Sequence, residues 1–245
     1  MAQSSYKSAP ITEAVIELKF SEPIDWSAIE KVSAKLVGEY PQNQNIQTFN
    51  VHVSLEGNES PSAAVLPQLG HRRASIDMTE LLVLTSAAFV SSQLAPYPGW
   101  NAFYERFVRD WKVWKRVVGF KEISRIGVRY INRIDIPISG PIVEFENYLN
   151  VYAKIPDVLG PVGGYAAQAV LPQADIGCTL RLNSAVVPSP ILDHMSILFD
   201  QDIAKEVDPP QSDGDISDLL NRIRVKKNEV FEACITDRAR ELFQK

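Results

Sequence analysis

A chain of 245 residues with 45% hydrophobic and 22% charged residues has the length for a core of its own and the balance of a globular protein, which excludes the disordered and fibrous classes. Its formal net charge of −5 argues against indiscriminate binding to phosphate backbones, which rests on an excess of Lys and Arg. Cys178 and Cys234 are too few for a disulfide framework and lack the neighbours of a zinc site, so reduced, buried thiols are expected.

The N-terminus lacks the apolar stretch of a secretory signal, and no run approaches the roughly 20 apolar residues of a membrane span. A cytoplasmic protein without membrane contact is the expectation. Residues 11–20 alternate, with Ala14, Ile16, Leu18 and Phe20 on one side and Glu13, Val15, Glu17 and Lys19 on the other, as in a half-buried strand. Residues 25–40 read as a helix, with Asp25 as candidate N-cap, Ile29, Val32 and Leu36 at helical spacing, and Pro41 forbidding continuation. Phe49, Val51, Val53 and Leu55 predict a strand over 46–56, followed by a polar loop from Gly57. Two further strands are expected over 71–79 and 81–94. The clearest helix covers 99–119: Trp100, Phe103, Tyr104, Phe107, Trp111, Trp114 and Val118 form one stripe, and Arg106, Arg109, Lys112 and Arg116 occupy much of the opposite face.

The order then recurs. Residues 125–137 read as a strand, 140–156 as a short helix closed by Pro156, and 163–172, 176–187 and 191–201 as three strands. A long helix runs from Asp215 nearly to the end on the stripe Ile216, Leu219, Leu220, Ile223 and Phe231. The pattern predicts an α+β fold of largely antiparallel sheets with helices packed on one face, in pseudo-duplicated β-α-β-β-β-α units. It forms a single domain over 1–245, built of two similar halves of about 11–119 and 120–243.

Catalytic signatures are missing. His52 falls on the polar side of its strand, His71 borders a turn, and His194 sits beside Asp193, whose side chain points to the other face of a strand. No nucleophile elbow, His-Glu-x-x-His motif or phosphate loop is present, and the glycine cluster at Gly160, Gly163 and Gly164 precedes a strand rather than a helix. Glu13, Glu17 and Lys19 share one strand face, but Val15 interrupts the Glu-x-Glu-x-Lys alternation of triphosphate tunnel enzymes. The acidic loop before Asp215 lacks the closing glutamate of a calcium hand. No catalytic residue, metal ligand or cofactor is therefore assigned.

The feature that stands out is on the strand over 125–137. Ile126, Val128, Tyr130, Asn132, Ile134 and Ile136 face one way, while Arg125, Arg129, Arg133 and Asp135 face the other. Such a row either pairs with cross-strand carboxylates such as Glu13 and Glu17, or forms an anion-recognising surface. Arg72, Arg73 and the basic helix face are candidates to extend it. Exposed aromatics for base stacking are absent from the row, so a protein partner is the more economical reading, with nucleotide or nucleic acid as the local-basic-surface variant.

Three stretches, "API-EAVIEL-F" over Ala9 to Phe20, "YP" at Tyr40 and Pro41, and "G-RYINRI-IP" over Gly127 to Pro137, resemble a sporadically distributed family of bacterial proteins with no assigned activity. The resemblance covers nearly the whole chain and implies a single-domain member. It further implies the occurrence of mobile accessory systems such as toxin–antitoxin or phage-defence modules, and it carries over no catalytic residue. Taken together, the sequence points to a non-enzymatic accessory or regulatory protein that binds another macromolecule. The alternative is a small-ligand sensor or enzyme with a pocket between sheet and helices, using Arg129, Asp135, Glu17 and His52.

Overall fold

The computed structural model describes residues 6–54, 62–138, 140 and 143–244, with 47–54, 62–69 and 157 by backbone alone. The strands are β1 (Ile11–Phe20), β2 (Gln42–Ser54), β3 (Ser62–Ala74), β4 (Glu80–Thr85), β5 (Ala88–Leu94), β6 (Ile123–Pro137), β7 (Ala166–Gln173), β8 (Cys178–Pro188) and β9 (His194–Lys205). The helices are α1 (Trp26–Lys35), α2 (Trp100–Val118), α3 (Asp213–Cys234) and α4 (Asp237–Leu242). Hydrogen-bonded neighbours follow the order β2-β3-β4-β5-β1-β6-β9-β8-β7, an antiparallel sheet of nine strands, and the fold is α+β. No helix among the described residues is long and apolar enough to cross a membrane.

The chain divides into two compact units, and each is interrupted in sequence. An α2 unit holds Ile16–Leu94 and Pro98–Arg125; an α3 unit holds Met1–Val15, Ala95–Tyr97 and Ile126–Lys245. Their boundaries fall inside β1 and β6 and on either side of Ala95–Tyr97. In both, the first strand neighbours the last strand of the meander that follows it: β1 beside β5, and β6 beside β9.

In the α2 unit, Ile16, Leu18 and Phe20 of β1 turn their buried side chains to the same face as the aromatic stripe of α2. Phe20 stacks on Trp114 at 5.2 Å, and Phe89 of β5 meets Phe107, Trp111 and Trp114 edge-on at 6.0, 5.6 and 5.5 Å. Offset and edge contacts of this kind add to the large area that aromatics bury. Gly99 and Gly119 bound α2 with φ of 99° and 79°, values that penalise a side chain. Gly70 is required for a different reason: a Cβ there would lie 2.9 Å from the carbonyl oxygen of Leu84 on β4.

Three details depart from expectation. Asp25 precedes α1, but its side chain makes no cap; its carbonyl accepts from Ala28 and Ile29 instead. Residues 81–94 form a hairpin, because Thr85 Oγ1 accepts from the amides of Ala87 and Ala88 and bends the chain between β4 and β5. The strand expected over 71–79 ends at Ala74, where Asp77 accepts from Ser75 Oγ, Thr79 N and Thr79 Oγ1 and closes a turn. The end of the strand expected over 46–56 and the loop after it lie outside the described residues.

In the α3 unit, β6 pairs with β9 and β9 with β8, so Tyr130 and Leu182 both stand opposite Gln201. Val128, Tyr130, Asn132, Ile134, Ile197, Phe199 and Ile203 share the inward face. Phe199 meets Phe231 of α3 at 6.2 Å, and Tyr6 sits edge-on to Phe243 at 5.3 Å. Ser212 caps α3 by accepting from the Asp215 amide at 3.2 Å. The long terminal helix expected from Asp215 is interrupted: Ile235 is extended and bridges Leu149, and Thr236 caps α4 by accepting from Ala239.

The same bridge explains a second correction. The described residues of 140–156 do not form the expected helix; a short 3₁₀ turn stands at Phe145–Asn147 and another follows at Asp157–Leu159. The amide of Asn150 donates to Cys234 O at 2.8 Å and the amide of Thr236 to Tyr148 O at 3.1 Å, so this backbone pairs with the end of α3 instead of with itself.

Candidate interaction surface

The inward face of β6 buries its apolar residues, and the strand's alternation therefore presents Arg129, Ile131, Arg133 and Asp135 on the face away from α3. Arg129 donates Nε to Asp200 Oδ1 and Nη2 to Asp200 Oδ2, both at 2.8 Å, and Asn183 Nδ2 donates to Asp200 Oδ2 at 3.1 Å. Those bonds raise the Arg129 guanidinium further above its ordinary value. Arg181 stands opposite Asp202 in the β8–β9 register and donates to Glu206 at 3.1 Å. Arg133 donates to Asp135 at 3.0 Å, and Ser196 Oγ donates to the same carboxylate at 2.5 Å. The row is thus woven into a mosaic of ion pairs across β6, β9 and β8.

Arg125 lies in the α2 unit, where it pairs with Glu17 of β1. Arg72 is partly exposed and has no hydrogen bond or ion pair among the described residues. Arg73 is buried: its Nε donates to Ser33 Oγ at 2.5 Å and its Nη1 to Tyr40 O at 2.9 Å, which ties β3 to α1. It serves the fold of its own unit. Arg106 is likewise buried rather than on a basic helix face, donating to Tyr40 Oη at 2.9 Å and to Ser92 O at 2.8 Å. Tyr40 donates in turn to Asp110 Oδ2 at 2.5 Å, and Arg109 Nε to Asp110 Oδ1 at 2.8 Å. Burial pushes the Asp110 carboxyl up even against those donors.

The other side of α2 carries a shallow groove of about 520 Å³ lined by Tyr104, Val108 and Val113 among Arg109, Lys112 and Arg116. His71 stacks on Trp26 at 4.9 Å, and burial lowers its pKa. His194 Nδ1 donates to Leu192 O at 2.8 Å in the turn before β9, and the side chain of His52 lies outside the described residues. Both cysteines are free and buried, and burial raises their thiol pKa values. Among the described residues, no three His, Cys, Asp or Glu side chains are grouped to hold a metal ion.

Sequence reasoning named the row but not its main partners. Asp200 and Asp202 share one face of β9 at a two-residue interval, a visible signal, yet only the β6–β9 pairing shows that Arg129 stands opposite Asp202 and bonds diagonally to Asp200. The inward face held a second unread cluster. Gln201 is fully buried with neither amide atom hydrogen-bonded among the described residues, and the Lys227 ammonium lies 4.0 Å over the Tyr130 ring. Tyr130 and Tyr97 share a hydroxyl contact of 2.8 Å, and burial pushes Tyr97 up to about 12.

No family model and no curated protein matches the chain. Among solved structures, it is similar to DynU16 from the dynemicin biosynthetic locus, at 10% identity and a TM-score of 0.24, over 96% of this chain and 98% of that one. It is also similar to the S. pombe Pct1 RNA triphosphatase in complex with the Spt5 CTD, at 9% identity and a TM-score of 0.13, over 97% and 88% of the two chains. Likeness at that level transfers neither fold nor activity.

Proposed function

We propose that this is a non-enzymatic accessory or regulatory protein that binds a protein partner on the charged sheet face of the α3 unit. The observation that supports it is the mosaic itself. Arg129, Arg133 and Arg181 are interleaved with Asp135, Asp200, Asp202 and Glu206, so carboxylates outnumber guanidiniums. Such a face repels a phosphate backbone but complements the mixed charges of a protein surface. Half-exposed Arg129 keeps Nη1 free of Asp200, a donor for a partner's acceptor. Resemblance to a family with the occurrence of mobile accessory systems is in keeping with a place in a toxin–antitoxin or phage-defence module.

The test is isolation of complexes from the native host, followed by calorimetric titration of the recovered protein against wild type and Arg181→Ala. Arg181 is a partly exposed member of the face whose ion pairs lie at the surface, so its loss should leave the fold intact. Binding about tenfold weaker with unchanged melting supports the reading. Wild-type affinity retained by both Arg181→Ala and Arg133→Ala would overturn it.

A second reading, a small-ligand sensor, is favoured by Gln201, whose buried amide has no partner beside half-buried Lys227 and the Tyr97–Tyr130 pair. Arg129 and Asp135 face away from that cluster and do not contribute to it. Native mass spectrometry of the purified chain separates the readings: a bound small molecule that Gln201→Leu abolishes would favour the sensor.

A further inference from the structure

β7 closes one end of the strand order, and among the described residues its only strand neighbour is β8. An edge strand leaves a row of backbone N–H and C=O groups unpaired, and proteins ordinarily protect such an edge with charges, bulges or a covering element. Here the protection is slight. The eight residues of β7, AAQAVLPQ, include no charged side chain. Val170 is 61% exposed and Leu171 41% exposed, and the segment leading into the strand exposes Val158 at 89% and Leu159 at 70%. Exposed apolar side chains on an open edge strand are a ready template for pairing with another chain. Pro172 near the end of the strand confines pairing to Ala166 through Leu171, since proline cannot continue a ladder on its N–H side.

We propose that β7 pairs antiparallel with β7 of a second copy of this chain, forming a two-fold dimer. The occupant is argued from the strand's own chemistry. An uncharged strand offers nothing to select a charged peptide, whereas self-pairing brings no like charges together in any register. Pairing about Ala169 sets Leu171 opposite Ala167 of the second copy and Val170 opposite its Gln168, so each larger apolar side chain meets a smaller or flexible one. The arrangement is isologous, as two-fold contacts must be. It goes beyond the charged-face reading and does not depend on it, because the dimer forms from purified protein with no partner present.

The experiment is sedimentation velocity of the full chain over a concentration series reaching about 100 µM, with hydrogen exchange at the β7 amides. Wild type should shift from monomer to dimer, with β7 protection rising along the same series. Val170→Glu is the decisive variant. Val170 stands opposite Arg181 in the β7–β8 register, so the new carboxylate is accommodated in the monomer. In the dimer it places two carboxylates near each other across the two-fold, and the dimer dissociation constant should rise at least tenfold with unchanged melting. Wild type that stays monomeric overturns the proposal. So does a dimer that Val170→Glu leaves intact or whose β7 amides exchange at the monomer's rate.

Discussion

Arg129 grips Asp200 with two parallel bonds of 2.8 Å, but the partners are buried to different degrees: Asp200 is 4% exposed overall, while the Arg129 side chain is 49% exposed. Removing the arginine leaves a buried carboxylate supported by Asn183; neutralising the carboxylate leaves a guanidinium already in water. Arg129→Ala should therefore cost about 1–3 kcal/mol in urea unfolding, and Asp200→Asn about 1 kcal/mol or less. Equal costs would show that burial does not govern the pair.

Trp114 is fully buried between Phe20 and Phe89. Trp114→Ala removes the fully buried tryptophan of the α2 core and should destabilise by about 3–5 kcal/mol, visible as a lower urea midpoint with an unchanged slope.

Tyr40 and Asp110 are both 0% exposed and joined through the tyrosine hydroxyl. Tyr40→Phe removes that donor and the acceptor used by Arg106, at a cost of about 1–3 kcal/mol. Combined with Asp110→Asn, the loss should be less than the sum of the single losses, because the two groups belong to one network. Additive losses in a double-mutant cycle would contradict the coupling.

Lys227 has a pKa lowered from the ordinary lysine value of 10.5 to about 8, first by burial and then by the neighbouring Arg224 charge. Between those values the unfolded chain binds more protons than the folded one, so this group's contribution to stability rises with pH. Its penalty is full below about pH 8 and gone above 10.5. Lys227→Met should melt higher than wild type near neutral pH, and the gap should close as the pH is raised towards 10.5. Paired thermal melts check the sign; a gap that widens with pH would refute it.

Several features were legible in sequence because they are local. The alternation in 11–20 and 125–137 and the aromatic stripe of α2 express the periods of strand and helix, and the structure has β1, β6 and α2 at those places. What the sequence could not decide was set by non-local competition for hydrogen bonds. Residues 140–156 carry a helical pattern, yet Leu149 and Asn150 bond to the end of α3. Arg73 and Arg106 read as surface cations, but Ser33, Tyr40 and Ser92 supply buried acceptors from distant segments, so the two guanidiniums are retained inside. By itself the sequence determined that Arg129 and Arg133 share one strand face, since side-chain alternation is a property of any single strand. Tertiary structure alone decided that Arg129 stands opposite Asp202 and reaches diagonally to Asp200, because the register between β6 and β9 depends on the whole meander that separates them in sequence.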